Sequence, residues 1–378
     1  MTDTATPSPF PHWMLREIHE QPATLAATLD RYVADGRFRD ETCAPMRQWL
    51  QATKAEIVIA ASGSSRHAGM VAELLIEDRS GIAVDVEYAS EYSYRPADAL
   101  KKAAVLVVSQ SGETADTLAA LRRANKAACP TLAITNVAAS TMAREATASF
   151  PTEAGRERAI PATKSFSAQL LVLDLLALLA AESRGTLTEE ELAGYLKELA
   201  GLPRLLESQL AGWESAVREI SLQYREATSF LFLGRGVHYP IAREGALKLK
   251  ESAYLHAEGY PSGELKHGPN ALVSEGTPLV MLATVDCNDP DSVQRYEKVV
   301  QLMRDMREQG ANILALANTA DDTVASLATA TISVEPTREA LLTICEIVPL
   351  QMFAYFMAIH NGIDVDHPRN LVKAVVEE

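Results

Sequence analysis

With 378 residues, 47% apolar and 22% charged, the chain is long enough for two domains that each bury a core, which excludes a disordered polymer. A net charge of −15 argues against a nucleic-acid partner, so an anionic ligand must be held by local donors. Cys43, Cys129, Cys287 and Cys345 show no Cys-x-x-Cys spacing and read as reduced core residues, not a zinc knuckle or a disulfide framework.

The N-terminal MTDTATPSPF has no basic segment followed by an apolar run, so no signal peptide is read and the expected location is cytoplasmic. Residues 13–35 carry apolar positions at helical spacing, and residues 1–50 are assigned to a helical arm. EIVIAASGSS then changes the rhythm: a β-branched run meets a Ser/Gly turn, and HAGMVAELLIED resumes a helical period. The unit recurs at Ile82–Tyr88, at Ala104–Val108 before SQSGET and its helix, and at Thr131–Ile134. Strands alternating with helices predict a parallel α/β sheet with helices on both faces. The apolar run Ala168–Ala181 is interrupted by Asp174 and falls short of the roughly 20 residues that span a bilayer, so it reads as a buried helix and no membrane partner is expected.

Thr188 and Glu191 stand in capping-box spacing and open a helical connector. The pattern then restarts with Ser229–Leu233, the GRGVHYP turn and the helix IAREGALKLKESAYL, followed by strands at Leu279–Thr284 and Asn312–Leu316. The expected division is a first α/β unit over 51–205, a second over 206–360 and a tail over 361–378.

Three loops of the first unit are rich in hydroxyls and abut helix N-termini: SGSS at 62–65, SQSGET at 109–114 and PATKS at 161–165. Free amide N–H groups and the positive end of the helix dipole suit a phosphate there. For any single loop ordinary capping is the commoner explanation; three of one chemistry at the carboxyl edge of an open sheet point to a ligand. No G-x-x-x-x-G-K-[ST] motif is present.

The second unit supplies ionisable groups. Lys248 and Glu251 share a helix face and read either as a surface ion pair or, beside the ligand edge, as a positioned base with its cation. His256 reads as structural, next to a helix end whose carbonyls it could cap. His267 lies in a shaped turn between Gly263 and Gly268–Pro269, and an ordinary imidazole pKa near 6.5 suits proton exchange; pattern alone leaves loop and catalyst open. Lys373 is either a solvated terminal lysine or an amine that a folded tail delivers to a carbonyl.

SQSGETADTLAALR (109–122), the stretch from Phe232 to Pro269 that contains GELKHGP, and DVDHPRNLVK (364–373) carry a family resemblance. From LREIHEQP (15–22) to the C-terminus the chain resembles the isomerase half of the glucosamine-6-phosphate synthases, a double sugar-isomerase (SIS) domain. The resemblance implies two flavodoxin-like SIS subdomains, a homodimer, a sugar-phosphate ligand and no metal or organic cofactor. It places Ser64, Ser65, Ser109, Gln110, Ser111 and Thr114 at the sugar phosphate, Glu251 as the C1–C2 proton carrier and Lys248 as its catalytic neighbour. It makes His267 the ring-opening group, reaching in from the other subunit, and Lys373 the imine-forming lysine, with Val372 beside it. Ala162 stands where the family has a serine near the amino-sugar group, and Ser62 where a cysteine is common. Thr2 occupies the place of the glutaminase cysteine, so the expected activity uses free ammonia: chiefly deamination of glucosamine 6-phosphate to fructose 6-phosphate. Ammonia- or partner-dependent synthesis is the enzymatic alternative, and a sugar-phosphate sensor the non-enzymatic one.

Overall fold

The computed structural model of the protein describes residues 6–53, 56–96 and 103–375. Two five-stranded sheets dominate it. The first holds β1 (Glu56–Ala61), β2 (Ala83–Tyr88), β3 (Ala103–Ser109), β4 (Thr131–Thr135) and β5 (Ala148–Ser149) in the order β2-β1-β3-β4-β5. The second holds β6 (Ser229–Gly234), β7 (His256–Pro261), β8 (Pro278–Ala283), β9 (Asn312–Asn318) and β10 (Ala330–Val334) in the order β7-β6-β8-β9-β10. Every ladder in both sheets is parallel, so each repeats the doubly wound 2-1-3-4-5 order. All seven residues of β3 are buried, as expected for a strand covered by helices on both faces.

The longer helices are α1 (Trp13–His19), α2 (Gln21–Tyr32), α3 (Asp40–Ala52), α4 (Gly63–Ser80), α5 (Ala115–Lys126), α6 (Lys164–Arg184), α7 (Glu189–Gln223), α8 (His238–Ala253), α9 (Pro290–Glu308) and α10 (Glu339–His360). Helix α4 packs along α6 in the first unit, and α8 along α10 in the second. The two units meet through α4 and α8. By length and apolarity α6 and α10 could each cross a membrane, but 94% of each apolar window is buried inside the protein, which makes them core helices.

The connector begins with the expected capping box, in which Thr188 and Glu191 exchange hydrogen bonds. It then continues unbroken to Gln223, so the division expected near residue 205 falls inside a helix; α7 packs on α2, α10 and β10 as a shared spine. Pattern reading passed over β7, whose HAEGYP has neither apolar alternation nor a β-branched run and which forms a sheet edge. His256 opens that strand, is exposed and lies 3.3 Å from Ser229 Oγ, so it does not cap the preceding helix. Cys43, Cys129 and Cys345 are buried, whereas Cys287 is exposed, beyond the end of β8 where the core stops.

The carboxyl edge of the second sheet carries a buried ionic cluster. His238, 3% exposed, donates to Glu346 at 2.8 Å and to Glu339 at 3.3 Å, while Thr284 donates to Glu346 and Arg295 to Glu339. Burial opposes the imidazolium, but the two carboxylates prevail and raise His238 from 6.5 to about 10. A raised pKa contributes stability that is complete below the unfolded value and lost as pH rises through the folded one. Thermal unfolding of His238→Gln should therefore differ most from wild type below about pH 6.5, and the gap should narrow toward pH 10. A pH-independent gap would show that the imidazolium charge is not what stabilises this edge.

Candidate active site

At the carboxyl edge of the first sheet lies a cavity of about 180 Å³. Strand β1 delivers Ser62, Ser64 and Ser65 to it at the start of α4, and β3 delivers Ser109, Gln110, Ser111 and Thr114 just before α5. These strands flank the point where strand order reverses, where a doubly wound sheet opens its crevice. The second loop is held by its own side chains: Ser109 Oγ accepts from Gly112 N at 3.2 Å and lies 2.9 Å from Thr114 Oγ1, and Ser111 Oγ accepts from Glu113 N at 3.1 Å. Gly112 is indispensable to this shape. Its φ is +67°, and a Cβ there would come within 2.2 Å of Ser140 Oγ.

The third loop contributes Ala162, but it does not end a strand. After β5 the chain runs irregularly from 150 to 163 before α6 begins. The hydroxyl-bearing PATKS was expected at a strand end; Thr163 and Ser165 are instead buried and donate to Glu157.

Helix α8 brings Lys248 and Glu251 into the same cavity. Lys248 is 1% exposed, in ion-pair contact with Glu251 and 3.4 Å from Glu244. Burial works against the ammonium, but Glu251 and Glu244 outweigh it and hold the Lys248 pKa above its ordinary value, so it stays charged. Glu251 Oε2 is a buried carboxylate oxygen lying directly against the Lys248 ammonium.

Glu244 and His67 escaped the sequence reading. Glu244 is fully buried and accepts from Ser64 Oγ at 2.7 Å and from His67, whose Nδ1 is 2.7 Å away. Burial would raise its pKa, yet Lys248 and His67 hold it below the usual carboxylate value. The signal was available in part: Glu244, Lys248 and Glu251 sit at i, i+4 and i+7, one helix face. Glu157 was also missed, for it lies in an irregular segment with no period.

The C-terminal tail closes one wall with Leu371, Val372 and Lys373. It is tied down at several points: Ala115 N donates to Val375 O at 2.9 Å, Ile160 N to Asp366 O at 3.0 Å, and the Asp366 carboxylate accepts from Trp13 N and Met14 N at the start of α1. Lys373 donates to Glu157 and is half-buried, not a solvated chain end.

His267 is placed elsewhere. It ends a single 3₁₀ turn, Glu264–His267, is exposed, lies outside the cavity lining and makes no hydrogen bond to described residues. The other predicted site residues, from Ser64 to Lys373, line one cavity. Among the described residues no cluster of His, Cys, Asp or Glu gathers as a metal ion would require.

The SIS domain family matches residues 50–179 and 223–361, one segment per sheet. The chain belongs to the SIS family. It is similar to the isomerizing glutamine-fructose-6-phosphate aminotransferase of Chlorobaculum tepidum, 39% identical over 98% of this chain and 59% of that protein. The Gloeobacter violaceus protein of the same name is 40% identical, again over 98% of this chain and 59% of its own length. This SIS chain thus spans about three-fifths of these curated relatives. The C-terminal domain of glucosamine-fructose-6-phosphate aminotransferase from Francisella tularensis superposes with a TM-score of 0.88 at 34% identity, covering 97% of this chain and 100% of that one. With that match the two sheets are those of a double SIS domain.

Replacing Gly112 by Ala should cost about 1–3 kcal/mol, since it adds both a left-handed strain and a steric clash. Urea unfolding of the variant measures this; a midpoint equal to wild type would mean that the Ser109–Thr114 loop readily adopts another shape.

Proposed function

We propose that this SIS protein converts glucosamine 6-phosphate and water into fructose 6-phosphate and ammonia, and runs the reverse when ammonia is abundant. One observation carries the reading: hydroxyl loops from β1 and β3, the Lys248–Glu251 pair from α8 and Lys373 from the tail converge on a single cavity. The phosphate sits at the hydroxyls and helix starts of Ser64–Ser65 and Ser109–Thr114. After ring opening, the open-chain aldose places its C2 proton at Glu251, which removes it and returns it to C1. Lys248 stabilises the negative charge that develops on the C1 oxygen. The resulting C2 imine is hydrolysed, or exchanged onto Lys373, releasing ammonia and the ketose.

Ring opening calls for an acid–base group besides Glu251, and among the described residues the cavity wall holds no imidazole. His267, exposed and without a partner among the described residues, fits that role from the partner subunit of a homodimer. The names of these relatives favour a second reading, net synthesis of the amino sugar from fructose 6-phosphate; the same groups run in reverse with free ammonia.

Incubation with glucosamine 6-phosphate should release ammonia and fructose 6-phosphate together. Failure of the purified protein to turn over in either direction would leave only a sugar-phosphate-binding role. Glu251→Gln should lower kcat by on the order of 10² or more while phosphate-ligand affinity stays near wild type. Mixing His267→Ala with Glu251→Gln protein tests the shared site. Random hybrid dimers carry one intact site if His267 acts in trans, so activity should recover to about a quarter of wild type. No recovery would place His267 in its own subunit's site or outside catalysis.

A further inference from the structure

Lys373 is held in an arrangement that a lysine used only to bind phosphate would not need. Its Nζ contacts Glu157 Oε2 at 2.5 Å, Ala159 O at 2.6 Å and Ile160 O at 3.5 Å. Three acceptors match the three protons of an ammonium, so the lone pair that would attack a carbonyl is masked. The same lysine lines the cavity. To act as a nucleophile it must hand one proton to a base, and the base in contact is Glu157. That carboxylate has no exposed side-chain surface; its other oxygen, Oε1, accepts from Thr163 N at 2.9 Å and Ser165 N at 3.1 Å, and Ser165 Oγ donates to Oε2 at 2.6 Å.

A second buried carboxyl lies beside it. Glu17 of α1 is 1% exposed and accepts from Arg158 N at 2.5 Å and Ala159 N at 3.2 Å. Burial first, and the Glu157 charge second, push Glu17 up to about 8. Burial would do the same to Glu157, but the Lys373 charge and hydrogen bonds outweigh it and hold it near 2. The charged groups around the pair are Lys373 from the tail, Lys164 from α6 with its partner Glu20 from the arm, and Asp366, which caps α1. The ammonium is the largest of the influences that depress Glu157, with the Ser165 and Thr163 hydrogen bonds behind it. Once the proton moves, that attraction disappears and burial favours the neutral acid, so transfer exchanges a buried ion pair for a neutral amine and a neutral carboxyl.

We propose that Glu157 positions Lys373 and carries its proton while the lysine forms an imine with the ketose phosphate. This rests on the imine reading of Lys373 given above. Glu157 takes a proton from the ammonium; the freed amine bonds to the C2 carbonyl carbon, whose oxygen is protonated by the attacking nitrogen. The carbinolamine then loses its hydroxyl, which leaves as water with the proton returned by Glu157. Ammonium plus carbonyl gives iminium plus water, with no net change in protons. Glu17 sets the alkaline limit: when it ionises, a further negative charge beside Lys373 holds the ammonium in place.

Borohydride trapping with fructose 6-phosphate, located by peptide mass mapping, tests the proposal, and binding of glucitol 6-phosphate, which has no carbonyl, reports on the intact pocket. Wild type should be labelled at Lys373. Glu157→Gln should bind glucitol 6-phosphate within about threefold of wild type yet be trapped on the order of 10²-fold more slowly. Glu17→Gln, which leaves the Glu157–Lys373 contact in place, should lose the fall in trapping rate that wild type shows above about pH 8. Wild type labelled at Lys373 with an undiminished rate in Glu157→Gln would overturn the Glu157 role while leaving the imine standing. Parallel loss of glucitol 6-phosphate binding, or an unchanged pH profile in Glu17→Gln, would also overturn it; wild type with no label at Lys373 would remove the imine reading and this proposal together.

Discussion

The candidate site depends on one buried carboxylate. Glu244 has no exposed surface, and it ties the first loop of one sheet to the helix of the other by accepting from Ser64 and His67 of α4 and pairing with Lys248 of α8. A charge so placed is tolerable only because it is paired and hydrogen-bonded on every side; removing a partner would strand it. The same contacts decide where Lys248 and Ser64 stand. The junction between the two units is therefore also the floor of the cavity, and the relative position of the sheets is part of the chemistry.

The repeat shows how one fold is used in two ways. Both sheets have the same strand order and so the same crevice at the carboxyl edge. In the first, the loops offer short hydroxyl side chains and helix-start amides, which leave room for an anion. In the second, His238, Arg295, Glu339 and Glu346 satisfy one another in a buried ionic cluster. The architecture supplies a place for a ligand, and the local residues decide its chemistry.

The two ends of the chain finish the site. Asp366 of the tail caps α1 of the arm, and Glu17 of that helix lies against the segment that carries Glu157 and Ala162. Lys373 thereby becomes a wall residue of a cavity whose loops lie hundreds of residues earlier in the chain. Such a tail needs its backbone satisfied, which the bond from Ala115 N to Val375 O provides at the start of α5.

The sequence by itself determined the alternation of strands and helices, their repetition, the capped connector and the hydroxyl loops, because period, capping and turn chemistry act over a few neighbouring residues. Motif spacing also put Lys248 and Glu251 on one helix face. It did not show the edge strand β7, whose HAEGYP lacks any period, nor that the connector runs on through residue 205. It could not show that Glu157, in an irregular segment, faces Lys373, or that Glu244 joins two sheets, since those contacts span 216 and 180 residues of chain. Only the tertiary structure decided which ionisable groups are buried against which, and hence which carboxyls and amines keep their charge. That pairing depends on desolvation and distance in three dimensions, and neither is a property of a short stretch of chain.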